Sequence, residues 1–254
     1  MNTNEFQAIY VMWLRQMKHF LRFKTRIVTM IVQPLFFLIL LGSGFRQATF
    51  SSLGDVEYFH FLAPGIVAMA ILFSSMFTGV SVLWDKQFGF LQEVLVAPVN
   101  RFSIIIGRTL GGATTALVQG FIILFIAIAM GVPIASEIGI ITAIIFMVLI
   151  SFTSVGFGLI LASKMNDFQS FPLIMNILIM PLLFISSAFF PVAGDKTLQT
   201  IAYANPLFYM VDGLRGSLIG TASVLPIWVS FSVVFVICII MMALGSYLFS
   251  KSEV

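Results

Sequence analysis

The chain has 254 residues, of which 60% are hydrophobic and 9% charged, far from the roughly half and about a quarter typical of soluble domains. That balance excludes a soluble globular protein. The formal charge of +3 comes from 13 basic residues scattered among apolar runs, which make no phosphate-tracking stripe and argue against nucleic acid as a partner.

At the N-terminus, Phe6, Ile9, Tyr10, Trp13, Leu14, Met17, Phe20 and Leu21 recur at helical spacing, with Arg15, Lys18 and Arg22 on the other side. The pattern predicts an amphipathic helix over residues 5–24 that lies on a membrane surface, its aromatics in the interface and its cations near lipid headgroups. The basic stretch lacks a short apolar core ending in a small-residue cleavage site, so it is not a removed signal peptide. Six long intervals free of Asp, Glu, Lys and Arg follow. Each has room for the about 20 residues that cross a bilayer. Spans are expected near Ile27 to Gly44, Phe61 to Leu83, Ser103 to Met130, Ile138 to Ala162, Phe171 to Phe190 and Pro226 to Phe249. Ten of the 13 basic residues fall in the tails and alternate loops on one side, leaving Arg46, Lys196 and Arg215 opposite. Basic residues are retained on the cytoplasmic side, which sets both termini there.

Catalytic chemistry is missing from the pattern. His19 and His60 have no second histidine at metal-ligand spacing, and Cys238 stands alone in an apolar run. Nowhere does a glycine precede a lysine, so the phosphate-cradling loop of a nucleotide hydrolase has no place in the chain. Neither enzyme nor cofactor site is expected. The predicted span interiors hold no ionisable group, which weighs against an ion-coupled carrier. Gln119, Asn176 and the Ser74, Ser75, Thr78, Ser81 series are the polar exceptions. Hydrogen-bonded helix contacts are their plainer use and the lining of a substrate path their functional one, with Ser74, Ser75, Thr78 and Asn176 as the candidates. Gly107 with Gly111, and Gly158 with Ala162, are spaced for close helix packing. Pro181 is expected to kink the fifth span.

Residues 191–225 are too polar to span. Their punctuation predicts a helix from about Asp195 to Tyr203, a turn at Asn205 and Pro206, and a second helix from about Phe208 to Leu218. We expect an extracytoplasmic helical hairpin dipping back into the outer leaflet, with Asp212 and Arg215 placed to pair on one helical face. On the other side, residues 84–101 carry Asp85, Phe88, Gly89, Phe90, Leu91, Glu93, Pro98 and Arg101. With Leu95 and Val96, the residues Phe88, Phe90 and Leu91 form an apolar cluster in an exposed loop, which marks an interaction surface.

These two segments resemble the signatures of the ABC-2 permease family. Gly89, Glu93, Pro98, Arg101, Gly107 and Arg108 follow its cytoplasmic loop in order; Phe189, Phe190 and Pro191, then Asn205 and Pro206, then Asp212, Leu214 and Arg215 follow its outer-side motif. The resemblance implies an all-α polytopic protein in a bacterial or archaeal plasma membrane. It also implies a coupling loop seated on a separate nucleotide-binding subunit, two copies of which bind ATP and Mg, and a homodimer of this chain in membrane lipid. Where the family usually has a glutamate before Gly89, this chain has Asp85, which either supplies that acidic contact or leaves it lost. "GFLQEVLVAPVNR" and "NPLFYMVDGLRG" look most like the daunorubicin-resistance and lipo-oligosaccharide branches. Export of a drug or lipid-like compound is therefore expected first, and of polysaccharide or lipo-oligosaccharide second. An ion-coupled carrier and an intramembrane enzyme are the rivals from other classes.

Overall fold

The computed structural model describes residues 3–45, 56–89, 99–165, 167, 169–192, 196–221 and 223–251. Among the described residues the chain is all-helical and has no strand. Helix α1 (Thr3–Arg22) is separated by Phe23 from α2 (Lys24–Gly44); α3 (Tyr58–Gln87), α4 (Arg101–Ala129) and α5 (Glu137–Lys164) follow. Then come the shorter α6 (Ser170–Ile185), α7 (Lys196–Tyr203) and α8 (Pro206–Ile219), and finally α9 (Ile227–Lys251). Five of these, α2 to α5 and α9, hold a segment long and apolar enough to cross a membrane.

The fifth expected span is shorter than its sequence suggests. Helix α6 has 16 residues, about 24 Å at the α-helical rise, against a hydrocarbon core of about 30 Å. It stops at Ile185 because Ser186 turns back, its amide and hydroxyl both donating to the Leu183 carbonyl at 3.2 and 2.7 Å. Ser187 then adopts a left-handed φ of 62°. Pro181 lies within α6, as the sequence placed it.

Helix α3 is the axis of the fold, buried on nearly all sides by α2, α4, α5 and α8. By contrast, α9 and α6 keep most of their apolar surface outward, as helices facing lipid do. Small residues set the crossings. A β-carbon on Gly79 of α3 would sit 2.5 Å from the Gly158 carbonyl oxygen of α5. Gly245 of α9 meets the backbone of α5 at Gly156 in the same way. Gly107 and Gly111 likewise let α1 lie against α4, at Ile9 and Met12 and at Gln16. Gly79→Ala is expected to cost about 1–3 kcal/mol through overpacking. Gly44→Ala, where nothing lies within 4 Å, serves as the unperturbed control. Thermal midpoints in detergent read the difference.

Candidate functional site

At the end of the bundle where α1, α3 and α4 meet, three charges gather. Asp85, in the last turn of α3, is 7% exposed. It accepts a two-pronged hydrogen bond from Arg15 of α1, Nη1 to Oδ2 at 2.9 Å and Nη2 to Oδ1 at 2.5 Å. Arg108 of α4 brings Nη2 to 2.6 Å from the same Oδ2, close enough to pair but poorly aligned for a hydrogen bond. Its Nε and Nη1 have no acceptor among the described residues, and its guanidinium faces the Phe249 ring of α9 at 5.9 Å. Arg108 is 3% exposed, so Asp85 is what neutralises it. One carboxylate thus ties three elements together at the point where the chain leaves α3 for the 84–101 loop.

The residues named for that loop divide. Asp85 is on α3 rather than in a loop, and its carboxylate points into the chain. Phe88 lies just past the helix end, exposed, its ring 5.3 Å from that of Trp84. Gly89 has φ +77°, a conformation that suits glycine. Arg101 opens α4 and donates to the Ser250 carbonyl of α9 at 3.1 Å. Phe90, Leu91, Glu93 and Pro98 lie outside the described residues.

A second polar knot stands at the other end. Asn205 caps α8, accepting from the Leu207 amide at 3.0 Å, and donates through its side-chain nitrogen to the Leu182 carbonyl at 2.6 Å. Pro206 takes the first helical position, where it needs no amide, and Pro191 is half-buried beyond the α6 turn. Asp212 and Arg215 do not pair with each other. Asp212 accepts from the Val224 and Leu225 amides at 2.8 and 3.0 Å, fixing the approach to α9. Arg215, with no exposed surface, donates to the Phe61 carbonyl at 3.2 Å, the Ser187 hydroxyl at 2.7 Å and the Ser187 carbonyl at 2.6 Å. Its guanidinium also stacks on the Phe61 ring at 3.7 Å. Three separate segments supply these partners, which spacing along α8 alone does not reveal.

Between these ends, a cavity of about 230 Å³ opens among α2, α3, α4 and α6. Gln33, Gln119 and Asn176 bring three amides to a wall of Met30, Met69, Met76, Met175, Phe73, Phe77 and Phe171. Gln119 is 3% exposed and its Oε1 has no donor among the described residues. Of the four candidate path residues only Asn176 reaches this wall. Ser74, Ser75 and Thr78 are buried inside α3 contacts, and Thr78 fits against Gly112. Gln119 carried the better signal, a lone amide in a long apolar run.

Apolar helices of spanning length joined at both ends by buried ionic and hydrogen-bonded knots define a multi-pass membrane protein. The sequence matches the ABC-2 type transporter family over residues 7–219, and the chain belongs to that family. ABC-2 permeases are the membrane subunits of ABC transporters and work with an ATP-binding subunit. The chain is 30% identical over 203 residues to the transport permease ycf38 of Cyanophora paradoxa, covering 77% of this chain and 70% of that one. It is 27% identical to YbhR of Escherichia coli K12, which bears the name probable multidrug ABC transporter permease, over 68% of this chain and 48% of that one. The inner membrane transport permease YadH of the same strain is 25% identical over 90% of this chain and 89% of its own length. The chain thus spans from about half to about nine-tenths of these relatives.

Proposed function

We propose that the chain is the permease of an exporter that moves a hydrophobic or amphipathic compound, drug or lipid-like, outward on ATP hydrolysed by a separate subunit. Two copies of the permease would pair, each with one nucleotide-binding subunit holding ATP and Mg, in the plasma membrane of a bacterium or archaeon with both termini cytoplasmic. In this reading α1 is the interface helix of residues 5–24. Helix α6, although short, counts as a sixth span completed by the polar turn after it, and residues 191–225 form a re-entrant outer cap, with α8 buried among α3, α5 and α9. Residues 84–101 are the coupling loop, with Glu93 and the apolar side chains around it as the contact.

The observation that carries the reading is the Arg15–Asp85–Arg108 cluster. Asp85 stands at the very start of the coupling loop, so a force applied to that loop is passed at once to α1, α3 and α4. Asp85 acts here as an internal tie. The Met- and Phe-rich cavity, with its three amides, supports an apolar substrate with a few hydrogen-bonding groups, and YbhR's name points the same way.

Glu93→Lys tests the coupling assignment. Copurification with the ATP-binding subunit, or stimulation of its ATPase, is expected to fall about tenfold, the effect of about 1.4 kcal/mol, while insertion and thermal midpoint stay unchanged. Full transport at normal ATPase stimulation would remove Glu93 from the interface.

A further inference from the structure

Beside the Asp85 cluster, α1 and α3 leave a cleft of about 620 Å³ between them, within the about 300–1,000 Å³ typical of small-molecule sites. Its two ends differ in chemistry. Phe77 and Val80, within the apolar part of α3, form the deep end, and Trp84 and Phe88 extend that wall toward the end of the helix. At the shallow end the cleft runs into a second hollow of about 470 Å³ through the shared Arg15, His19 and Phe23, and there Lys18 and Arg22 join it. Asp85 is the acidic group among the lining residues, and it is already engaged by two guanidiniums. The mouth therefore carries a positive field, while the floor is aromatic and aliphatic. Phe77 and Val80 also line the mid-depth cavity, so the cleft and the cavity share that wall.

We propose that this cleft binds an anionic phospholipid of the cytoplasmic leaflet, its headgroup phosphate against Arg15, Lys18 and Arg22 and an acyl chain along Trp84, Val80 and Phe77. Charge complementarity chooses this occupant. A cationic or neutral amphiphile would leave the basic mouth unmatched, and a free anion would leave the apolar floor uncovered. The polarity also runs the right way, because the floor lies along a candidate membrane-crossing helix and the cations lie beyond the break at Phe23, where basic side chains draw anionic headgroups. Such a lipid would stand against the same Phe77 and Val80 wall that borders the cavity among α2, α3, α4 and α6. The sidedness in this proposal rests on the cytoplasmic placement of α1 given under Proposed function.

The test is photolabelling of the full-length protein in phosphatidylcholine vesicles doped with a photoreactive phosphatidylglycerol, or with an equal amount of photoreactive phosphatidylcholine. The phosphatidylglycerol probe is expected to mark residues 77–88 at least about tenfold more than the phosphatidylcholine probe, the scale of one to two basic contacts with an anionic surface. Lys18→Gln with Arg22→Gln, both at exposed positions, should erase that preference. Val80→Trp should block labelling by filling the floor. Equal labelling by the two probes overturns the proposal, as does a preference that survives the double substitution, and so does competition by excess inorganic phosphate alone, which would make the site one for a free anion. Sidedness is read separately with Lys18→Cys in a Cys238→Ser background and an impermeant maleimide. Reaction in inverted but not right-side-out vesicles fits the cytoplasmic placement. The reverse overturns that placement, and the probe ratio still decides whether an anionic lipid binds.

Discussion

Replacing Arg215 with methionine is expected to lower the thermal midpoint of the detergent-solubilised protein sharply and to cut the yield of monodisperse material. Methionine keeps most of the side-chain volume and removes every donor. The carbonyls of Phe61 and Ser187 and the Ser187 hydroxyl would then lose the guanidinium that serves them in a site with no exposure. Each such orphan costs about 1–3 kcal/mol, so a loss on the order of 3–5 kcal/mol is expected even after partial relaxation. An apolar replacement of a buried charge can be neutral when its partners leave with it, but here two of the three are backbone and stay. Lysine is expected to fall in between, since one ammonium cannot reproduce a planar fork reaching two segments. Fluorescence-detected size exclusion after a heating series makes the comparison. A methionine variant as stable as the parent would mean that packing alone holds the turn after α6.

The second large effect is expected at Asp85. Asp85→Asn preserves shape but leaves Arg15 and Arg108 facing each other with no counter-charge. Because Arg108 is 3% exposed, the cost should approach the about 3–5 kcal/mol of breaking a buried pair. Arg15→Ala should cost far less, about 1 kcal/mol or below, since its side chain is 36% exposed and Arg108 remains beside the carboxylate. The same ranking is expected in ATPase stimulation by the reconstituted complex. Equal losses for the two variants would show that the cluster does not centre on Asp85.

The parts of the fold that were legible are those fixed by local pattern. Charge-free intervals located α2, α3, α4, α5 and α9 to within a few residues. Asn205 and Pro206, read from the sequence as the turn before a helix from about Phe208, are the N-cap and first residue of α8, which starts two residues earlier than expected. What escaped depends on partners distant in sequence. The run from Phe171 to Phe190 is apolar enough to continue as helix, and it breaks after Ile185 where Ser187 meets a guanidinium 28 residues further on. Asp212 and Arg215 have helical spacing for a pair, yet better-placed backbone groups from three other segments compete for them. The Asp85 cluster was half visible. A lone acid at the end of one apolar run and Arg108 at the start of another are a signal for pairing, whereas Arg15 lies within the amphipathic α1, and only the fold says that the three converge.

The glycine crossings have a mechanical consequence. Gly158 meets α3 while Gly156, two positions away on α5, meets α9, so three helices touch through their backbones. Side chains can change rotamer to absorb a shift, whereas main chain in such contact has nothing to yield. Helices α3, α5 and α9 therefore behave as one plank, whereas α4 meets α3 at Gly112 and Gly120 through the side chains of Thr78 and Ile71, and α2 meets it at Gly42 through Phe59, seams where side chains remain to absorb a shift.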